Sequence, residues 1–121
     1  MAFWEVVRLV LDTSSIIYLV EKRLDPSILA EHTLFTTYPV LEELLALSAR
    51  RRGKARVALS LLRLLAPFVV DVGGPADESV VIAAVKIGGH VLSGDSEVIA
   101  TARRRGVPVA LFHDRELTFP P

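Results

Sequence analysis

At 121 residues the chain is long enough to bury a core without disulfides or a structural metal, and one domain over 1–121 is expected. The absence of cysteine excludes disulfides, thiolate catalysis and Cys-ligated zinc, and 14 basic against 14 acidic residues exclude a protein that holds nucleic acid by global charge. Although 51% of the residues are hydrophobic, no apolar run approaches the ~20 residues of a membrane-spanning helix, so no membrane association is expected.

The opening MAFWEVVRLVLD mixes acid and base into an apolar stretch and lacks a basic head with a small-residue cleavage site. It reads as a first strand rather than a leader, and a cytoplasmic location is expected. The apolar run over 5–11 stops at Asp12, as a strand buried on both faces does. Thr13, Ser14 and Ser15 are N-cap candidates for a helix carrying Ile16, Ile17, Leu19 and Val20. Asp25-Pro26 opens a short helix to about Glu31, and a short strand follows at 34–36.

Pro39 begins a helix to about Arg52 with Val40, Leu41, Leu44, Leu45 and Leu47 on its inner side. Glu43 lies about 110° from the centre of that stripe and Glu42 about 150°, so Glu43 is the better inward acid. Gly53 interrupts the run, and the helix to about Ala66 carries more leucine than one face needs, which predicts a self-association surface and a homodimer. A strand at 68–72 ends in Gly73-Gly74-Pro75, and a helix over 76–87 is apolar almost all round and should be largely buried. Gly88-Gly89 ends it. A strand at 90–93 runs into Gly94-Asp95, and a helix to Arg105, a stop at Gly106 and a last strand at 107–111 complete the pattern.

Strands alternating with helices predict an α/β fold, a three-layer α/β/α arrangement around a mainly parallel sheet of about five strands. Sites in such folds lie beyond the C-terminal strand ends. Asp12 and Asp95 fall there, Asp77 beside Glu78 begins a helix that follows a strand, and Glu43 flanks the inner face of its helix. Carboxylates brought together repel and raise one another's pKa, which a divalent cation relieves. Oxygen ligands without nearby His or Cys favour Mg²⁺ or Mn²⁺ over zinc.

Other chemistries fit poorly. His32, His90 and His113 lack ligand spacing, no G-x-S-x-G elbow is present, and Gly73-Gly74-Pro75 lacks the Lys and Ser/Thr of a phosphate-binding loop. Two basic runs, Arg50, Arg51, Arg52, Lys54 and Arg56, then Arg103, Arg104 and Arg105, carry any local attraction for RNA, and both also suit solvated helix ends. The lack of Cys, Asn and Gln is the pattern expected of a heat-adapted chain.

Four segments in order, LVLDTSSIIYLV, PVLEELLAL, ADESVVIAA and HVLSGDSEVIATARRRGVPV, resemble the PIN domain, a family of small metal-dependent nucleases that includes the toxin halves of VapBC pairs and RNA-processing enzymes. The resemblance spans about Arg8 to Phe112. It implies that Asp12, Glu43, Asp77 and Asp95 are catalytic, and that these four with Glu78 form the metal-ligand set, either Asp77 or Glu78 making the contact. Ser14 and Ser93 take the positions of small polar residues expected to bind phosphate or metal-bound water, with capping for Ser14 and strand-end pairing for Ser93 as the alternatives. Gly94 departs from the Asn or Asp of many members.

The function implied is a Mg²⁺- or Mn²⁺-dependent endoribonuclease leaving 5′-phosphate and 3′-hydroxyl ends, in its VapC-like form with a small antitoxin whose tail covers the pocket through a basic side chain. An RNA-processing nuclease, or a PIN fold kept as an RNA-binding or assembly module with little catalysis, stands as the alternative.

Overall fold

The structure, a computed structural model, describes residues 6–50 and 53–121. The expected strand start at residue 5, the helix end at Arg52, and Arg51 and Arg52 of the first basic run lie outside the described residues.

Strand β1 (Arg8–Leu11) forms because three consecutive apolar residues can be buried on both faces at once, and Leu9, Val10 and Leu11 are fully buried. It is followed by α1 (Thr13–Glu21), α2 (Ser27–Ala30), β2 (Thr33–Thr37) and α3 (Tyr38–Ala49). The second half contains α4 (Gly53–Leu65), β3 (Phe68–Val70), α5 (Ala76–Ile87), β4 (His90–Leu92), α6 (Ser96–Arg104), β5 (Val109–His113) and β6 (Glu116–Thr118). The sheet order is β3-β2-β1-β4-β5-β6, parallel except where β6 returns antiparallel to β5. The mainly parallel α/β architecture is the expected one, with six strands among the described residues where about five were expected.

From β1 the chain winds outward through β2 to β3, then crosses back to β4 and winds the other way. Right-handed crossovers therefore send α1 and α4 to one face and α5 and α6 to the other. The packing has α1 and α3 against α4, α5 against α6, and α3 also against α5, so α3 touches the helices of both faces. The switch in direction falls between β1 and β4, whose register pairs Leu11 with Leu92, so Asp12 and Ser93 leave the sheet side by side.

Several local expectations shift. Leu45 of α3 was expected inside and is 51% exposed, because Val40 and Leu44 alone form the buried line. The leucine surplus of α4 is mostly absorbed: Leu62 is buried, Leu59, Leu61 and Leu65 are packed against the core, and Leu64 stands out at 78% exposure. Helix α5 buries Ser79, Val80, Val81, Ala83 and Ala84 but leaves Val85 half exposed. Its C-cap, Gly88, takes the left-handed conformation at φ 65°, which glycine adopts without a Cβ penalty. Gly89 then lets β4 approach β1, since a Cβ there would sit 2.8 Å from the Arg8 carbonyl oxygen.

Candidate active site

Asp12 is the structural hinge of the site. Its backbone is extended (φ −93°, ψ 173°), and it caps α1 by accepting the Ser15 amide on Oδ1 at 2.8 Å. The cap is therefore the acid itself and not Thr13, Ser14 or Ser15, because the strand-to-helix bend comes one residue earlier than the hydroxyl run. Thr13 instead winds into the helix, with its Oγ1 buried and no hydrogen-bond partner among the described residues.

The Asp12 carboxylate is 4% exposed and wrapped in donors. The Ser14 hydroxyl bridges Oδ1 at 2.9 Å and Oδ2 at 3.0 Å, and the Ser93 hydroxyl makes a short hydrogen bond to Oδ2. Burial pushes its pKa upward, and the bonds from Ser93, Ser15 and Ser14 only partly restrain it. No neighbouring cation among the described residues contributes to that balance.

Ser93 also accepts the Asp95 amide at 2.9 Å, and the Gly94 amide donates to Ser14 Oγ at 3.1 Å. The two serines thus knit the end of β4 to the start of α1. A Cβ at position 94 would lie 3.9 Å from Ser14 Oγ, an ordinary contact, so glycine is not a steric requirement there. Asp95 caps α6 as Asp12 caps α1, accepting the Glu97 amide at 2.8 Å and the Val98 amide at 3.4 Å on Oδ1. Its second oxygen takes no part in the cap.

The remaining acids approach from α3 and α5. Asp77, exposed in the first turn of α5, has its pKa raised by partial burial first, then by the charges of Asp95, Glu43 and Glu97. Four acids from three helices therefore share one electrostatic neighbourhood. Glu78 is not among the charges acting on Asp77. Glu97 was not singled out in the sequence, where an acid in a helix first turn reads as a dipole complement. Its signal was its position two residues after Asp95.

Glu43 also lines an open concavity of about 550 Å³ with Glu42, Tyr38, Asp71 and Gly73. Glu42, placed outward by its angle from the apolar stripe, faces the same space. A second concavity of about 290 Å³ begins at Ser14 and Gly94 and follows Ile17, Tyr18 and Glu21 of α1. The basic run Arg103 to Arg105 closes α6 at the end opposite Asp95, roughly 13 Å of helix away.

A sequence profile of the PIN domain matches residues 9–119. The chain belongs to the PIN domain family. This PIN domain is 35% identical over 85 residues to Ribonuclease VapC9 of Archaeoglobus fulgidus, a match covering 69% of the chain and 63% of that relative's length. Its fold is similar to that of the PIN domain endonuclease Utp24 (TM-score 0.73, 16% identity, covering 91% of this chain and 88% of that one). A domain of a functionally unknown protein from Methanocaldococcus jannaschii is also similar (TM-score 0.68, 16% identity, covering 96% and 98%). No helix among the described residues of this PIN domain is long and apolar enough to cross a membrane.

Two observations bear on whether the site suits a divalent ion. The donor set is all carboxylate and hydroxyl oxygen, and its charges are mutually repulsive and unneutralised, which is what a hard cation requires. Among the described residues, however, no three His, Asp or Glu side chains are already arranged to hold a metal ion. The donors fit in kind but are not gathered into a ligand set among the described residues.

Proposed function

We propose that this PIN domain, a single domain acting in the cytoplasm, is a metal-dependent endoribonuclease. The observation that carries the reading is the shared field of Asp77, Asp95, Glu43 and Glu97 beside the buried carboxylate of Asp12, at the C-terminal ends of β1 and β4. Asp12, Asp95, Glu43 and Asp77 are the residues to hold the ion, Mg²⁺ or Mn²⁺ by donor chemistry, and Glu78 stands one position further along α5. When bound, the ion supplies Lewis acidity at a phosphodiester.

The protein's own groups do the rest. Ser14 and Ser93 hold the Asp12 carboxylate in one orientation and keep its burial tolerable. Asp77, whose pKa is raised by partial burial first and then by its acidic neighbours, completes the cluster with Glu43 and orients the attacking water. Hydrolysis joins that water to phosphorus, breaks the P–O3′ bond and sends a proton to the departing 3′ oxygen. The likeness to Ribonuclease VapC9 supports a VapC-type role with an RNA substrate and a small antitoxin partner. The exposed Leu64 and Val57 of α4 support a homodimer through that helix.

A second reading is a PIN fold that binds RNA with little cleavage. It is favoured by the internal satisfaction of both Asp12 oxygens and by the lack of a preformed three-carboxylate group. The deciding experiment is cleavage of a mixed RNA pool with Mn²⁺ or Mg²⁺, at moderate and elevated temperature with chelator controls, by wild type, Asp12→Asn and Asp95→Asn. Metal-dependent cleavage lost in both folded variants supports the nuclease. Salt-dependent binding without cleavage, unchanged in Asp12→Asn, supports the binding module.

A further inference from the structure

We infer that Thr37 and Ser79 form a buried hydroxyl pin that sets α3 against α5 and holds Glu43 in register with Asp77, which makes both of them positioning residues. The inference rests on the nuclease reading above, because only that reading gives the register a task.

Thr37 ends β2 and caps α3, while Ser79 lies in the first turn of α5. Their Oγ atoms are 2.7 Å apart, and both residues are 0% exposed, so water has no access to replace either partner. The direction of the contact follows from counting protons. Ser79 has one hydroxyl proton and donates it to the Ala76 carbonyl at 2.7 Å. Thr37 must then be the donor to Ser79, and its own oxygen accepts the Val40 amide at 3.3 Å. The result is a one-way relay from a first-turn amide of α3 to a first-turn carbonyl of α5.

Both ends of the relay lie within a helical turn of an acid: Val40 precedes Glu43 by three residues, and Ala76 immediately precedes Asp77. Helix capping alone asks only for the contact between Thr37 and Val40. The further link to Ser79 joins two helices that pack together and that both carry negative charge toward one place. The charge of Glu43, midway along α3, and that of Asp77, in the first turn of α5, oppose this packing, and the pin holds the helices together from the buried side. A group that fixes the orientation of a metal-ligand helix acts as the hydrogen-bond partners of metal ligands do, and such partners typically matter about 10–100-fold in affinity or activity.

The test measures Mn²⁺ affinity by calorimetric titration, beside RNA-pool cleavage at saturating Mn²⁺, for Thr37→Val, Ser79→Ala, the double variant, Thr37→Ser and a stability control, Val107→Ala, placed between α6 and the start of β5. Each pin variant is expected to lose roughly tenfold in Mn²⁺ affinity. The double variant should lose no more than either single one, because one relay is cut once or twice. Thr37→Ser should restore wild-type affinity, and Val107→Ala should retain it at a matched melting temperature. Should Thr37→Val fail to fold, Ser79→Ala carries the test, since alanine suits a helix. Pin variants that bind Mn²⁺ like wild type, or a control that loses as much as they do, overturn the pin while a cleaving wild type keeps the nuclease reading. A wild type that neither binds Mn²⁺ nor cleaves RNA overturns both.

Discussion

The Ser93 hydroxyl donates to the Asp12 carboxylate across the seam between β4 and β1, joining residues 81 positions apart in the chain. The same oxygen accepts the Asp95 amide, so one side chain links the two strand-end acids. Replacing it with alanine removes a bond to a buried carboxylate and leaves a half-buried amide without its acceptor. Ser93→Ala should cost about 1.5–3 kcal/mol in urea denaturation and lower RNA cleavage roughly 10–100-fold. Wild-type values in both measurements would show that the hydroxyl does not hold the site.

Asp77 gives a pH signature. Its pKa in the folded protein lies above the unfolded value of 3.8, so the folded state binds its proton more tightly than the unfolded state does. The ionised group therefore lowers stability at neutral pH, and the penalty disappears as pH falls through the raised pKa toward 3.8. Asp77→Asn should melt higher than wild type at pH 7 in chelator, by about 0.5 kcal/mol or less because the group is mostly solvated. Well below pH 3.8, where Asp77 is protonated in both states, the two proteins should coincide. A variant less stable at pH 7, or a difference independent of pH, would contradict the repulsion.

Metal binding should appear in stability as well as in turnover. An ion that binds only the folded chain contributes about 2.7 kcal/mol at a hundred times its Kd, enough to raise Tm by several degrees at this size. Mn²⁺ should produce this rise in wild type, EDTA should reverse it, and Asp12→Asn should abolish it. An unchanged wild-type Tm across millimolar Mn²⁺ would remove the ion from the proposed chemistry.

Gly89 tests the seam from the other end. An alanine Cβ would meet the Arg8 carbonyl oxygen at 2.8 Å and the Arg8 Cβ at 3.1 Å, atoms of β1 that cannot rotate away. Gly89→Ala should cost about 1–3 kcal/mol and, by displacing β1 from β4, reduce cleavage as well. Thermal melts and RNA cleavage together check this, and a neutral substitution would show that the strands have slack.

The strand-end acids were legible because each follows an apolar strand and precedes a helix start, a local pattern that needs no tertiary information. The alternation of elements likewise carried the parallel sheet. What escaped depends on long-range pairing. Strand β6 is three residues, Glu116–Thr118, reached by a turn in which Asp114 rather than glycine takes φ 54°, and only its ladder with β5 makes it a strand. Leu45 looked like core because its helical angle was right, but the buried line of α3 is narrower than its apolar stripe. Glu97 had the sequence of an ordinary helix start. Thr37 and Ser79 are 42 positions apart, and no periodicity could have paired them.

The seam between β1 and β4 also sets when the site comes into being during synthesis. Asp12 is made early, yet the hydroxyl that steadies it and the aspartate beside it belong to the segment that follows β4. A growing chain that stops short of His90 has no partner strand for this side of β1 and none of the Ser93 and Asp95 groups. Contacts of such long sequence separation form late and slowly. A chain without its fourth strand therefore cannot form the links among Asp12, Ser93 and Asp95, and the pocket is complete only when that strand docks.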